Sequence, residues 1–526
     1  MKFQSVAPPP ASFPSPPDGL RWYLHFTVVV TGAAVLVLEI LGARMLTPFF
    51  GSSHFVWSAQ ITVTMLSLAV GYALGGRIAD RQNAVTSLYG LILLSAFYLV
   101  ATVMFRIPLA TACLGMDLAL GSTLASFGLF FVPLSLLATA GPLVIRALTT
   151  SLGSVGTQVG RLTALGTVGS LGGVVLSSYV LIPYVRDSLA LLLTATALGM
   201  VVLGYGFFAG RLKLSARVGL LASCCIAALL GGRALRVDQI PVWPGHREIA
   251  RTNSHFGLMQ VIESNDQRRR FYLNDFLIQN SYDVTSRQSI SIFTELLVGL
   301  SEAYTPILRK ALCLGMGVGI VPMRLSSGGM TVDVVEINPA VVPLAQTYFH
   351  FDPSRVSLII DDARHFLGST RARYDTVHLD AFVGDSMPSH LMTREAFTAI
   401  RSCLEPEGTL VINSFVSFEP GRDFLSSSLY RTLKDVFADV VIHASDGGNV
   451  FYVASNRTPL VPVRIPSFHG THASRYSQAV ACYANRVVPK VDGGMVLTDD
   501  YNPAEFRDAI NREELRRRLA NYAVGK

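Results

Sequence analysis

Apolar residues follow two different rhythms along this chain, and the change comes near residue 233. Before it stand six long apolar runs, at about 23–43, 56–76, 86–105, 121–145, 162–185 and 188–210. Each approaches or exceeds the ~20 residues a helix needs to cross a bilayer. A seventh run, 218–232, is marginal. After 233 the runs become short and strand-like, with turn residues between them. Residues 256–279 read as β-hairpin material turning at Ser264-Asn265-Asp266. From 311 onward, apolar strands (ALCLG, VDVVEIN, VSLII, YDTVHLD, GTLVINSF) alternate with helical stretches at 337–348 and 392–403. That alternation predicts a doubly wound, mostly parallel sheet.

The charge distribution sharpens this division. Residues 23–232 carry 10 basic and 4 acidic side chains, so +6 of the net +7 belongs to the apolar half. The remainder is almost neutral (33 basic, 32 acidic), which speaks for a membrane protein and against nucleic-acid binding. Loops after the second, fourth and sixth runs hold Arg77, Arg81, Arg146, Arg161, Arg211, Lys213 and Arg217. Loops after the first, third and fifth hold Arg44, Arg106 and Arg186. The bias places the N-terminus and the even-numbered loops in the cytoplasm. A full seventh span would export the C-terminal half, so 218–232 is expected to be interfacial or re-entrant, or 107–145 to split into two passes. Glu39 lies inside the first run, where a carboxylate is costly; pairing with Arg44 or another helix's arginine is expected, a functional role being the alternative. The Pro-rich residues 1–22 read as a disordered cytoplasmic arm. The six cysteines form no CxxC pair and no Cys/His cluster, so neither a metal site nor a disulfide framework is expected.

In a parallel α/β sheet, ligands bind beyond the carboxyl ends of the strands. The first strand there ends in Gly315-Met316-Gly317-Val318-Gly319, a turn that lets backbone approach a ligand. The second ends at Glu336, suited to the two hydroxyls of a ribose. The third runs into Asp361-Asp362, where a carboxylate can take an adenine amino group, and the fourth ends at Asp380. Each acid alone could cap a helix; four polar strand ends in order point to a nucleoside.

These residues resemble the spermidine synthase (polyamine aminopropyltransferase) family, and the whole chain resembles its bacterial membrane-fused members. The motifs are NDFLIQ (274–279), LGMGVG (314–319), VEINPAVVPLAQTYF (335–349), DDARHFL (361–367), LDAFVGDSMPSHLMTREAF (379–397) and LTDDYNP (497–503). The resemblance implies an N-terminal multi-pass α-helical membrane domain (23–232, six to eight spans), a linker and β-hairpin region (233–290), and a Rossmann-like transferase domain of the S-adenosylmethionine type (291–526). It implies a donor site of Gln279, Gly315, Gly317, Gly319, Glu336, Asp362 and Ala363, with Asp380 as catalytic base and no metal.

The polyamine positions depart from the family. Its Tyr-His-Glu stretch is Phe293-Thr294-Glu295, its Gly-rich-loop aspartate is Val318, and the second acid of its catalytic loop is Val383. Glu295 and Asp385 are the remaining candidates to meet a substrate amine. The expected activity is membrane-anchored aminopropyl transfer from decarboxylated S-adenosylmethionine to an amine. The alternatives are methyl transfer from S-adenosylmethionine to a membrane-associated acceptor, and a non-catalytic nucleoside sensor or transporter. The expected partners are the lipid bilayer of the bacterial inner membrane, a small amine, and a second copy of the chain.

Overall fold

The computed structural model describes residues 16–51, 54–81, 84–149, 155–208, 229, 231–233, 245–275, 277–382, 387–445, 448–489, 493–509 and 511. The chain divides into two compact units, Met1–Ile240 and Pro241–Lys526.

Among the described residues the first unit has six helices long and apolar enough to cross a membrane. They are α1 (Asp18–Phe50), α2 (His54–Arg81), α3 (Ala84–Cys113), α4 (Leu118–Leu148), α5 (Val155–Tyr184) and α6 (Asp187–Phe208). The 107–145 stretch does not make two passes of its own. Helix α3 ends at Cys113, and Asp117 opens α4 by accepting the N–H groups of Ala119 and Leu120. All but three positions of the marginal 218–232 run, and residues 1–15 of the N-terminal arm, lie outside the described residues.

Small residues set the helix spacing. A Cβ on Gly169 or Gly173 of α5 would overlap the carbonyls of Val29 or Ala33 on α1, so the helices approach closely there. The expected Glu39–Arg44 pair does not form. Five residues apart on one helix, the two side chains point about 140° from each other. Arg44 instead bonds Asp187 at the start of α6 at 3.1 Å, with the buried Arg106 of α3 within electrostatic reach of the same carboxylate. Both arginines turn into the bundle.

The second unit opens with an antiparallel sheet of strands β1 (His246–Ser254), β2 (Gly257–Ser264), β3 (Arg269–Asn274), β4 (Leu277–Asp283) and β5 (Gln288–Ser289). The hairpin is therefore part of a larger sheet, and β1 was not foreseen. Its sequence, HREIARTNS, is too polar to read as a strand. Its charges are met by pairs: Arg247 with Glu263 of β2, and Arg251 with Glu248.

Helix α7 (Ile292–Tyr304) leads into the main sheet: β6 (Lys310–Leu314), β7 (Thr331–Glu336), β8 (Ser357–Ile360), β9 (Tyr374–Leu379), β10 (Leu404–Phe415), β11 (Asp439–Ala444), β12 (Asn449–Ser455) and β13 (Arg486–Val487). Its order is β13-β11-β12-β10-β9-β6-β7-β8. Strands β8, β7, β6, β9 and β10 pair in parallel; β12 runs antiparallel to β10 and to β11. The interleaved helices are α8 (Ile320–Ser327), α9 (Val341–Phe349), α10 (Ala363–Ser369), α11 (Arg394–Cys403), α12 (Phe424–Val436) and α13 (Tyr476–Ala484). Apolar clusters cover both faces of the sheet. The strand order reverses at β6, since β7 and β8 lie on one side and β9 on the other. That reversal opens a crevice at the carboxyl ends of these strands.

Candidate functional site

The turn leaving β6 is shaped by what lies against it. Gly315 sits at φ +97°, and a Cβ there would collide with the Asp380 carbonyl, so no other residue lets the ends of β6 and β9 come this close. Hydrogen bonds fix the approach: Asp380 N–H donates to the Leu314 carbonyl at 3.0 Å, and Gly315 N–H to that of Val335 at 2.9 Å. Gly319 begins α8, whose first turn faces the crevice and brings the N–H groups of Ile320 and Val321 and a partial positive charge to it.

Glu336 ends β7. Its carboxylate accepts Met316 N–H at 3.0 Å and Asn338 N–H at 2.8 Å, which holds it under the Gly-rich turn. Burial raises its pKa, and the N–H groups of Asn338, Met316 and Ile337 act against the rise. Each oxygen keeps a lone pair for a further donor. Beyond β8, Asp362 caps α10 with one oxygen, accepting the N–H groups of Arg364 and His365, and its other oxygen lies 3.4 Å from His390. Asp361 pairs with the exposed His365, which raises the pKa of that histidine.

Asp380 ends β9. Burial pushes its carboxyl up to about 6, with a hydrogen bond from Asn413 opposing the shift. Asn413 Nδ2 donates to Asp380 at 2.9 Å, and Asn449 Nδ2 donates to Asn413 at 3.0 Å. This amide relay crosses from β9 to β10 to β12 and holds Asp380 in one rotamer.

Gln279, Gly315, Gly317, Glu336, Asp361, Asp362, Ala363 and Asp380 all line one cavity of about 1070 Å³. Gly319 stands just behind it as the cap of α8. Val318, at the family's aspartate position, also lines it and is 1% exposed. One candidate is not brought in. Glu295 is buried in an ion pair with Arg324 at 3.3 Å and does not line the cavity, although Phe293 and Thr294 do. Asp385 lies outside the described residues, as does Val383. Asp499 accepts from Arg364 and Thr393 and so fastens the C-terminal loop. Among the described residues, no three His, Cys, Asp or Glu side chains converge as metal ligands.

Sequence reasoning missed Asn413, Asn449 and the cavity face of α13. Asn413 did leave a signal, as the one amide in the apolar run LVINSF at a strand's carboxyl end. Asn449 and α13 left none.

Residues 290–444 match a spermine/spermidine synthase domain. The chain is 35% identical over 153 residues to the polyamine aminopropyltransferase of Vibrio vulnificus, covering 28% of this chain and 50% of that one. It is 28% identical over 230 residues to an N-terminal histidine N-methyltransferase of Emericella nidulans, covering 40% of each. Polyamine aminopropyltransferase 2 of Aquifex aeolicus is 21% identical over 426 residues, covering 78% of this chain and 82% of that one. The chain thus spans half or less of the first two relatives' length.

Proposed function

We propose that the chain, which matches a spermine/spermidine synthase domain over residues 290–444, is a membrane-anchored transferase moving an aminopropyl group from decarboxylated S-adenosylmethionine to an amine. The observation that carries this reading is the single cavity holding Glu336, Asp362 and Asp380 at successive strand ends. The cradle fits an adenosyl group: Glu336 and Gln279 would face its ribose, Asp362 its adenine, and the bare Gly315 and Gly317 its thioether arm. Bound there, a sulfonium supplies an electrophilic carbon with a neutral thioether as leaving group.

Transfer to nitrogen forms a C–N bond and breaks a C–S bond, whose electron pair leaves on sulfur. The attacking amine must be unprotonated, and its remaining proton must go to a base as nitrogen becomes cationic. Asp380 is that base. With a pKa of about 6, it is ionised at neutral pH and accepts a proton more readily than an ordinary carboxylate. Its negative charge also attracts the cationic partners, and the Asn413–Asn449 relay keeps it aimed.

A second reading, methyl transfer from S-adenosylmethionine, is favoured by Val318. An apolar residue there removes the acid that would select a free amine on the donor arm and leaves the N-terminus of α8 open to a carboxylate. The N-methyltransferase relative agrees with it.

Six spans with the N-terminus inside would return the soluble unit to the cytoplasm of the inner-membrane face, where sulfonium donors are made. The test is the identity of the co-product formed by the detergent-solubilised full chain with each donor and mixed amines. Methylthioadenosine supports aminopropyl transfer. S-adenosylhomocysteine would move the assignment to methyl transfer, and neither co-product would overturn both.

A further inference from the structure

The adenine end of the cavity is held from outside by a strap that lies beyond the matched family region. Asp362 and Ala363, at the start of α10, line one wall of that end. Pro388, His390 and Leu391, on the connection from β9 to α11, also line the cavity. Neither wall is a strand of the sheet. Connections of this kind take their position from what they are bonded to, and here the partner common to both is the segment 497–504.

The strap has anchors of its own. Leu497 is fully buried in the apolar cluster that includes Leu429 and Leu433 of α12, and its N–H donates to Thr432 Oγ1 at 2.9 Å. Ala504 is fully buried in the same cluster. Between these anchors the strap meets the second wall. The Leu497 carbonyl accepts Arg394 N–H at 2.8 Å, and Asn502 Nδ2 donates to the Ser389 carbonyl at 2.9 Å. Asp499 joins that wall to the first. One carboxylate oxygen accepts Thr393 Oγ1 at 2.6 Å, and Thr393 also caps α11. The other accepts Arg364 Nη2 at 2.5 Å, and the Arg364 N–H donates to Asp362 at 2.7 Å. Arg364 Nη1 reaches Thr393 Oγ1 at 3.4 Å, which closes the bridge. Two direct contacts therefore lead from Asp499 to Asp362.

We infer that Asp499 is a positioning residue of the donor site: by bridging Arg364 and Thr393 it fixes the two walls relative to each other and sets how tightly and selectively the adenine is held. This rests on the adenosyl reading above, in which Asp362 takes the adenine amino group. Asp499 does not line the cavity and acts through its two partners. Its side chain is 48% exposed, so the bridge adds little to global stability, which the buried Leu497 and Ala504 carry for the strap.

The test compares two nucleosides by calorimetry on the detergent-solubilised full chain. Methylthioadenosine carries the amino group that Asp362 accepts; methylthioinosine carries a carbonyl oxygen in its place. Wild type should bind the first more tightly. Asp499→Ala should weaken methylthioadenosine about three- to tenfold, between the effect of an exposed ion pair and that of a buried charged hydrogen bond. Methylthioinosine should bind nearly as it does to wild type, which also reports that the variant is folded. The base preference then contracts, a change that general loosening of the chain does not produce. Arg364→Ala should give the same loss, and the double variant no more than either alone, because both side chains act through one bridge. An unchanged base preference in Asp499→Ala, or losses that add in the double variant, would overturn the assignment. Wild type that binds neither nucleoside is a separate outcome: it would sink the donor reading itself, and this inference with it.

Discussion

At the β6–β8 end of the cavity, two acids are already held by backbone. Glu336 accepts two N–H groups, and Asp362 caps a helix. On the other side of β9 the polar groups are the amides of Asn413 and Asn449, bonded to one another and to Asp380. The first end is over-determined by the loops that build it, so its side chains can change little without disturbing the fold. The second is assembled from a strand end, a loop and one face of α13, and can be rewritten without touching the sheet. A family that keeps its donor and changes its acceptor would vary at the second end. Phe293, Thr294 and Val318, where the chain departs from the family pattern, also line the cavity.

The largest effect should come from the residue between the two ends. Asp380→Asn removes the base and should lower single-turnover transfer about 10²- to 10⁴-fold while donor binding persists. Transfer within tenfold of wild type would show that another group takes the proton. The same variant should melt at a higher temperature at neutral pH. Asp380 has a folded pKa above its unfolded value, so folding favours the protonated form. Its contribution to stability is present below the ordinary carboxylate range and is lost as pH rises through about 6. At pH 7 the ionised carboxyl then costs up to about 3 kcal/mol, which the amide does not. A melting temperature unchanged at pH 7 would contradict that burial.

A smaller effect sharpens the role of the amide relay. The Asn413 hydrogen bond lowers the Asp380 pKa, so Asn413→Ala should raise it. The acid limb of the pH–rate profile then moves to higher pH, and the rate near pH 6 falls several-fold more than the rate at pH 8. A uniform loss at all pH values would mean that Asn413 acts on packing alone.

The donor end was legible in the sequence because its chemistry sits at strand ends. Glu336, Asp362 and Asp380 each close an apolar run, and the glycines of 315–319 mark the turn between them. The membrane spans were legible for a similar reason, since apolar length is a local property. What stayed hidden depends on partners distant in sequence. Strand β1 is polar by itself and needs Glu263 of β2 to meet Arg247. Arg44 looked like a partner for Glu39 until Asp187, far along the chain, took it. Asn449 resembled any turn asparagine, because only the pairing of β12 with β10 brings it to Asn413 and through it to Asp380.

The separability of the two ends is the claim on which the rest depends, and one parallel titration tests it most directly. Methylthioadenosine is titrated into wild type, Glu336→Gln and Asn449→Ala under identical conditions. A carboxylate hydrogen bond to a ribose hydroxyl is worth about 1.5–3 kcal/mol, so Glu336→Gln should weaken binding at least tenfold. Asn449→Ala should leave it unchanged. Equal weakening by both substitutions, or no effect of Glu336→Gln, would contradict a cavity divided into a donor end at β7 and β8 and a separate end beyond Asp380.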